Sequence, residues 1–354
     1  MEKLSVALIF GGKSGEHDVS RVSASSIFKH INKEKYDVHT IGITKDGNWI
    51  YYNGSSEDMA NGKWESLANN DVKINLIPNG NSKVGLEFKD GSFKKIDVLF
   101  PVLHGPYGED GKIQGVFEIS NIPYVGCGVL ASSVGMDKLI CKKIFSQIGL
   151  PQVNYTYTNK WEFNLNKEKE LDKIESELNY PVFVKPANMG SSVGISKVCN
   201  REELLKGINE ALKHDTRIVL EQGINAREIE VAVLGNDDVK ASIAGEIIPA
   251  KDFYDYEDKY VNGASKLEIP AKVDETTMES IRNMAINAFK GIDGSGLSRV
   301  DFFIDKETDE IYINEINTLP GFTNISMYPK LWDATGIQYT DLIDKLIQLA
   351  IEGK

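Results

Sequence analysis

The clearest alternation of apolar and polar residues lies near the carboxyl end of the chain, between residues 298 and 323. Two apolar runs, 300–304 and 311–316, flank a polar segment at 305–310. Short apolar runs on either side of a polar turn are typical of paired β-strands. The pattern therefore predicts a β-hairpin with a long loop.

The predicted hairpin carries polar side chains that suit a metal ion. Because side chains alternate along a strand, Asp301 shares a face with Arg299, and Glu315 shares one with Ile313 and Asn317. A register that sets Asp301 near Glu315 gathers two carboxylates, an amide and a guanidinium. Carboxylate and amide oxygens are ligands that Mg²⁺ takes when it also binds nucleotide phosphates. The alternative is an amphipathic hairpin with its charges in water.

The amino end of the chain predicts an α/β unit. An apolar run at 5–10 predicts a strand, the segment GGKSGEHDVS a glycine-rich turn, and the amphipathic stretch 22–31 a helix. The glycine spacing differs from the dinucleotide-binding fingerprint, so support for NAD is weak. Glu16 stands in the turn, where a carboxylate that stabilises the helix start is favoured over a ligand contact.

A second candidate ligand segment follows the apolar run at 97–103. This run predicts a buried strand, and it ends in His104 and a loop rich in glycine. Ligands of α/β sheets bind beyond the carboxyl ends of parallel strands, so this loop is a candidate binding segment. His104 is either a ligand contact or a structural histidine, and the sequence favours neither.

Two lysines in the middle of the chain are candidate phosphate contacts. Residues 136–148 predict an amphipathic helix with Ile140 and Ile148 among its inward side chains, and Lys138 lies in the first turn. The helix dipole disfavours a cation there unless an anion lies nearby. The alternative is an ordinary exposed lysine.

The second lysine, Lys185, ends a predicted strand and precedes a small loop that contains Ser191 and Ser192. Backbone N–H groups and hydroxyls in such a loop can fold over phosphates. The segment is not a P-loop, because the GK[ST] ending and the following helix are missing. Beyond the next predicted strand, Glu221 and Glu228 could supply carboxylates for ribose hydroxyls.

The segment 251–260, KDFYDYEDKY, packs three tyrosines among charged residues. A loop of this content could act as a lid over an active site. A surface loop with an exposed aromatic cluster is the alternative, and the segment alone favours it.

Length, charge and cysteine content narrow the function classes. A chain of 354 residues predicts two or three domains, and a net charge of −12 argues against binding to nucleic acid or an anionic membrane. A local group of lysines could still hold ATP. The three cysteines, Cys127, Cys141 and Cys199, lack metal-ligand spacing and predict reduced thiols. With no cleavable signal or membrane-spanning run, the expected location is the cytoplasm.

Taken together, five motifs resemble those of D-alanine–D-alanine ligases of the ATP-grasp superfamily. They occur in the expected order: HGPYGEDGKIQG, GVLASSVGMDK, VKPANMGSSVGISK, FYDYEDKY, and SRVDFF with NEINTLPGFT. The resemblance implies an α/β fold with α+β subdomains in a three-domain ATP-grasp architecture. Its parts would be a Rossmann-like domain with the first D-alanine contacts at 1–120, a central subdomain with the phosphate loop at 121–215, and a subdomain with the lid and metal hairpin at 216–354.

The resemblance also implies roles for the candidate residues. Those expected to hold ATP are Lys138, Lys185, Ser192, Glu221, Gln222, Glu228 and Lys259. Those expected to bind two Mg²⁺ or Mn²⁺ are Asp301, Glu315 and Asn317, with Glu315 bridging. Those expected at the substrates or the reacting centre are Glu16, His104, Ser191, Tyr260, Arg299, Gly321, Ser326 and Met327. Among these, Glu16, Ser191 and Tyr260 would form a hydrogen-bonded set.

The implied activity is ATP-dependent ligation of two D-alanines through a D-alanyl phosphate, for peptidoglycan precursors. Tyr260 stands where D-lactate ligases carry histidine, and Met327 where D-serine ligases can carry arginine, so both rivals are disfavoured. A non-catalytic ATP-binding regulator would be expected to have lost Arg299 or a metal ligand, and all are present. The resemblance further implies a homodimer, with a monovalent cation as an additional candidate cofactor.

Overall fold

Four β-sheets organise the chain in the computed structural model, which describes residues 3–78, 83–248 and 266–353. The strands are β1 Leu4–Gly11, β2 Tyr36–Ile43, β3 Trp49–Tyr52, β4 Lys73–Asn75, β5 Gly85–Glu87, β6 Phe93–Lys95, β7 Val98–Val102, β8 Tyr155–Asn159, β9 Val182–Pro186, β10 Ser196–Val198, β11 Arg217–Gln222, β12 Ala226–Gly235, β13 Lys240–Ile248, β14 Lys266–Glu268, β15 Gly296–Asp305 and β16 Ile311–Asn317. The helices are α1 His17–His30, α2 Ser56–Asn61, α3 Trp64–Leu67, α4 Lys112–Ser120, α5 Val129–Met136, α6 Lys138–Gln147, α7 Lys160–Leu165, α8 Lys167–Glu177, α9 Arg201–Ala211, α10 Glu275–Gly291, α11 Met327–Ala334 and α12 Tyr339–Glu352.

The amino-terminal sheet has the order β3-β2-β1-β7, in which β1 pairs parallel with both neighbours. An apolar run buried on both faces is typical of a central parallel strand, and β1 divides its side chains between two cores. Leu8 and Phe10 face a core that includes the carboxyl-terminal helices, whereas Ala7 and Ile9 face a core with α4 and the small sheet β4-β5-β6. The Glu16 turn follows β1 and the His104 loop follows β7, so both lie at the carboxyl ends of these parallel strands.

The central sheet, β10-β9-β11-β8, is antiparallel and is covered by α8 and α9. Strand β11 belongs to this sheet, because it pairs with both β8 and β9. A domain boundary at 215/216 would separate β11 from its partners, so that predicted limit is wrong. The chain passes to the next sheet between Gln222 and Ala226.

The carboxyl-terminal sheet has the order β14-β13-β12-β15-β16 and is antiparallel. One of its faces packs on α10 and on α5 and α6, and the other contributes to the core that reaches the amino-terminal sheet. Helix α12 contacts α1, β7 and β15, so the last helix joins the two ends of the chain. Among the helices of the described ranges, none has the length and apolarity needed to cross a bilayer.

The predicted hairpin is confirmed as β15 and β16, with Asp301 opposite Glu315 and Arg299 opposite Asn317. The predicted sharing of a face by Ile313 and Glu315 is wrong. A bulge follows the Asp301 pair, so that Phe302 lies opposite Ile313 and one residue of β16 is skipped. The bulge lets Ile313 point into the core while the polar pairs stay on the opposite face.

Candidate active site

Two adjoining cavities gather most of the predicted site residues. The smaller, of about 140 Å³, lies between the amino-terminal sheet, the loop that contains Ser191 and Ser192, and the hairpin. The predicted site residues that line it are Glu16, His104, Lys138, Ser191, Ser192, Arg299, Glu315, Asn317, Gly321, Ser326 and Met327. The larger, of about 790 Å³, runs between the central and carboxyl-terminal sheets. The predicted site residues that line it are Lys138, Lys185, Ser192, Glu221, Gln222, Glu228 and Glu315. Lys138, Ser192 and Glu315 line both cavities, so they mark the junction.

The hairpin end presents the predicted metal ligands on one face. Arg299 donates to both oxygens of Asp301, with Nε–Oδ1 and a terminal nitrogen–Oδ2 distances of 2.7 Å each. Asn317 Nδ2 donates to Asp301 Oδ2 at 3.0 Å, and Lys138 Nζ lies 3.8 Å from Glu315 Oε2. In the described part of the chain, no three His, Cys, Asp or Glu side chains form a metal-binding group. Two cross-strand carboxylates and an amide oxygen still fit a hard divalent cation whose remaining ligands are phosphates and water.

A buried lysine and a partly buried lysine hold a carboxylate at the wall of the larger cavity. Lys185 Nζ lies 2.7 Å from Glu221 Oε2, and Lys142 Nζ lies 3.2 Å from Glu221 Oε1. Burial alone would raise the pKa of the Glu221 carboxyl, but Lys142 and then Lys185 lower it to about 2. Glu221 is therefore ionised at neutral pH, which makes it a strong acceptor for a nucleoside N–H or O–H.

Sequence reasoning missed Lys142. The helix predicted at 136–148 is confirmed as α6, Lys138–Gln147, and its buried face includes Leu139, Lys142 and Phe145. Ile140 and Ile148, predicted to point inward, are exposed. The packed side of α6 is thus rotated from the predicted one, and a lysine occupies a core position because Glu221 balances its charge.

The serine loop between β9 and β10 has an unusual backbone. Ser191 and Ser192 adopt φ values of 49° and 59°, in the left-handed region that residues with a side chain seldom occupy. Lys138 Nζ donates to the carbonyl of Met189 at 2.8 Å, which ties the start of α6 to this loop. Ser191 Oγ is buried, and no partner for it lies in the described part of the chain. The loop thus presents a hydroxyl and backbone groups at the junction of the two cavities.

Glu16 and His104 lie at the amino-terminal wall of the smaller cavity. Glu16 is buried, and its Oε2 would be 2.3 Å from a Cβ at Gly105 and 3.2 Å from one at Gly190. Glycine at both positions therefore lets this carboxylate approach the backbone of two loops. His104 Nδ1 lies 3.0 Å from the carbonyl of Leu319, and burial lowers the pKa of the imidazole although Glu16 opposes this. His104 is thus neutral at pH 7 and joins the amino-terminal sheet to the loop after the hairpin.

Glu109 is a further carboxyl of this cavity that sequence reasoning missed. Its Oε1 accepts from the N–H of Gly105 at 2.8 Å. Burial, followed by the charge of Glu16, raises the pKa of the Glu109 carboxyl to about 8. Its place in the glycine-dense loop was visible in the sequence, but its proximity to Glu16 depends on the fold. Glu109 is mostly protonated at neutral pH and can donate a hydrogen bond.

The protonation of Glu109 predicts a pH effect on stability. Because the folded state holds this proton more tightly than the unfolded chain does, Glu109 makes the free energy of unfolding fall as the pH rises from 4.5 towards about 8. The slope from one group is at most about 1.4 kcal/mol per pH unit. Glu109→Gln is expected to remove this decline. Urea unfolding of both proteins between about pH 5 and pH 8 measures it, and parallel profiles would contradict the assignment.

The loop after the hairpin forms the opposite wall of the smaller cavity. Ser326 Oγ accepts from the N–H of Thr323 at 3.0 Å and lies 2.9 Å from a Cβ placed on Gly321. Met327 is buried in the core shared with the amino-terminal sheet, and it also lines the cavity. Ser326, Met327 and Gly321, which were predicted to lie at the substrates or the reacting centre, are therefore together at one end of the cavity.

Not every predicted residue or contact is found at the two cavities. Lys259, Tyr260 and the lid at 251–260 lie outside the residues that the structure describes. The predicted hydrogen bond between Glu16 and Ser191 does not occur within the described ranges. Asp301 lines neither cavity directly, and it accepts from Arg299, which lines the smaller one.

Comparison with known proteins supplies the family. The model of the D-ala D-ala ligase N-terminus matches residues 5–127, and that of the D-ala D-ala ligase C-terminus matches residues 144–348. The chain belongs to the D-alanine–D-alanine ligase family. A D-alanine--D-alanine ligase of Acetivibrio thermocellus is 54% identical, over 99% of this chain and 96% of its own length. One of Ruminiclostridium cellulolyticum is 55% identical, with the same two coverages of 99% and 96%.

Solved structures agree with this assignment. The VanG D-Ala:D-Ser ligase of Enterococcus faecalis has a TM-score of 0.87 and 38% identity, covering 99% of this chain and 100% of its own. The D-alanine-D-alanine ligase of Coxiella burnetii has a TM-score of 0.85 and 34% identity, covering 99% of this chain and 95% of its own. The predicted α/β ATP-grasp architecture, with a Rossmann-like amino-terminal domain, is confirmed.

Proposed function

We propose that this chain joins two D-alanines in an ATP-dependent, ADP-forming ligation that passes through D-alanyl phosphate and supplies peptidoglycan precursors. The observation that carries the proposal is the junction of the two cavities. A groove with a buried, ionised Glu221 suits a nucleoside, and a small polar cavity beyond it suits an amino acid. Phosphoryl transfer needs the donor phosphate and the acceptor carboxylate to meet, and Lys138, Ser192 and Glu315 line their meeting place.

In the first step, a carboxylate oxygen of the first D-alanine attacks the γ-phosphorus, and the bond to the ADP oxygen breaks. Glu16 would receive the ammonium of this D-alanine, and neutral His104 would lie near its carboxylate. Lys138, Lys185 and the serine loop would stabilise the charge on the transferring phosphoryl oxygens. Two divalent cations held by Asp301, Glu315 and Asn317 would supply further positive charge there when bound.

In the second step, the free amine of the second D-alanine attacks the acyl carbon, and phosphate leaves and takes up the proton that the amine loses. The tetrahedral intermediate carries an oxyanion, for which the Arg299 guanidinium and the N–H of Gly321 are the proposed donors. Ser326 would face the second D-alanine. No enzyme nucleophile takes part, because ATP already provides the activated acyl group.

The nature of the second substrate is the point that most needs a test. Met327 presents an apolar wall to the small cavity, which supports D-alanine over D-serine. A structural relative is nevertheless described as a D-Ala:D-Ser ligase. Phosphate release with D-alanine alone, compared with D-alanine plus D-serine or D-lactate, distinguishes the alternatives when products are identified by mass spectrometry.

We expect D-alanyl-D-alanine and ADP from D-alanine alone, with Asp301→Asn as the inactive control. Release only after addition of D-serine or D-lactate would favour one of those ligases instead. ATP binding without D-alanine-dependent phosphate release would favour a regulatory protein.

The remaining parts of the proposal rest on the family resemblance. They are the use of Mg²⁺ or Mn²⁺, activation by a monovalent cation, a homodimeric state and a cytoplasmic location. Titration of activity with each cation measures the first two. Sedimentation velocity of the purified chain measures the third, and a monomer across the concentration range would remove it from the proposal.

A further inference from the structure

In addition to Asp301 and Glu315, a carboxylate that was not among the predicted site residues lies beside the reacting centre. Glu230 belongs to β12, is only 6% exposed, and lines the smaller cavity. Its Oε2 lies 3.1 Å from Arg299 Nε. A carboxylate so deeply buried is costly unless it is paired, and Arg299 provides the pairing charge.

The sheet register places Glu230 in a row of like charges. Glu230 is paired across the strands with Asp301, and Asp301 is paired with Glu315. Residues paired in this way point to the same face, so three carboxylates lie side by side on β12, β15 and β16. Adjacent like charges repel each other, and the Arg299 guanidinium reduces the repulsion by contacting both Glu230 and Asp301.

Asp301 has two competing uses. In the structure both of its oxygens accept from Arg299, and Oδ2 also accepts from Asn317. A carboxylate has about four acceptor sites, so little of Asp301 remains for a cation while these bonds persist. A cation on Asp301 therefore needs Arg299 to withdraw, and Arg299 must nevertheless stay at the reacting centre.

We propose that Glu230 is the positioning residue that resolves this conflict: it holds the Arg299 guanidinium from the β12 side while Asp301 serves the divalent cation. The inference rests on the proposed function, since it assumes a cation on Asp301. Arg299 thus has a carboxylate partner both with and without a cation on Asp301, and it does not leave the cavity. Glu230 thereby favours cation binding through Arg299, although it is not itself a ligand.

Binding of Mn²⁺ tests the proposal without reference to turnover. The probe is Mn²⁺ with a non-hydrolysable ATP analogue, measured by electron paramagnetic resonance. In Glu230→Gln, Asp301 becomes the stronger partner of Arg299, and Mn²⁺ affinity is expected to fall by about fivefold or more. The shorter carboxylate of Glu230→Asp is expected to give a smaller loss.

Arg299→Gln separates this mechanism from direct charge attraction. If Glu230 acts through Arg299, adding Glu230→Gln to Arg299→Gln is expected to change Mn²⁺ affinity by less than about twofold. An equal loss of affinity in both backgrounds would overturn the proposal, because it would show a direct effect of the Glu230 charge on the cation. Unchanged affinity in both Glu230→Gln and Glu230→Asp would overturn it as well.

Glu170→Gln is the matched control. Glu170 is a buried carboxylate of the central domain that accepts from Thr158 at 2.9 Å, and it lies outside both cavities. Its replacement is expected to leave Mn²⁺ affinity unchanged. Asp301→Asn distinguishes the two levels of failure: if it does not weaken Mn²⁺ binding, the proposed metal site is wrong. If only the Glu230 cycle fails, the metal site stands and the positioning role does not.

Discussion

Glu315→Gln is expected to reduce turnover by about 10²-fold or more while the fold stays intact. The substitution keeps the shape of the side chain and removes its charge. Glu315 lies opposite Asp301, lines both cavities and is 3.8 Å from the Lys138 ammonium. Since the proposed bridging of two cations needs the full charge of a carboxylate, a neutral amide would weaken both sites.

Turnover at saturating Mg²⁺ and the circular dichroism spectrum are the measurements. Glu307→Gln, in the exposed loop of the same hairpin, is the control for loss of a negative charge and is expected to be neutral. Near-normal turnover of Glu315→Gln at saturating Mg²⁺ would falsify the assignment of the metal site to this hairpin.

Gly105→Ala is expected to raise the KM for the first D-alanine by about tenfold or more. An added Cβ would lie 2.3 Å from Glu16 Oε2, so the carboxylate would have to move from its place beside the loop. The proposed partner of the D-alanine ammonium would then be displaced. Initial rates at varied D-alanine, with ATP saturating, measure the change.

Backbone strain alone has to be excluded, because Gly105 has a φ of 73°. Gly149→Ala provides the matched control: its φ is 75°, and an added Cβ there meets nothing within 4 Å. Both variants are expected to lose about 1 kcal/mol of stability from the left-handed conformation. Only Gly105→Ala is expected to change the KM, and an equal KM in both variants would mean that Glu16 does not contact the first substrate.

The polar end of the hairpin could be predicted because it depends on local rules. Alternation within two short strands and one assumed register were enough to bring Asp301 and Glu315 together, and the structure has this pairing. The bulge beyond them could not be predicted in this way. It arises because Ile313 and Ile316, three residues apart, both pack into the core, and this packing involves α5 and α10.

Ionisable side chains removed from solvent were the main features that the sequence did not reveal. Lys142, Glu109 and Glu230 look like ordinary polar residues in their own segments, yet Lys142 and Glu230 are buried and Glu109 is partly buried by elements distant in sequence. A hydrophobic pattern assigns such residues to the surface, as happened with the face of α6. Only tertiary contacts identify the opposite charges of Lys142 and Glu230, and the burial that keeps Glu109 protonated.

Helix α12 has a consequence for the order in which the protein matures. Its residues Leu342, Ile343 and Leu346 share a core with Leu8 and Phe10 of β1, and Lys35 forms an ion pair with Asp344. A nascent chain therefore leaves part of one apolar face of its first sheet exposed until the final helix leaves the ribosome, although α1 already packs on that face. Contacts over more than 300 residues have to close before that face is covered. Premature termination near the carboxyl end would thus uncover part of this face of the amino-terminal sheet and leave an aggregation-prone product.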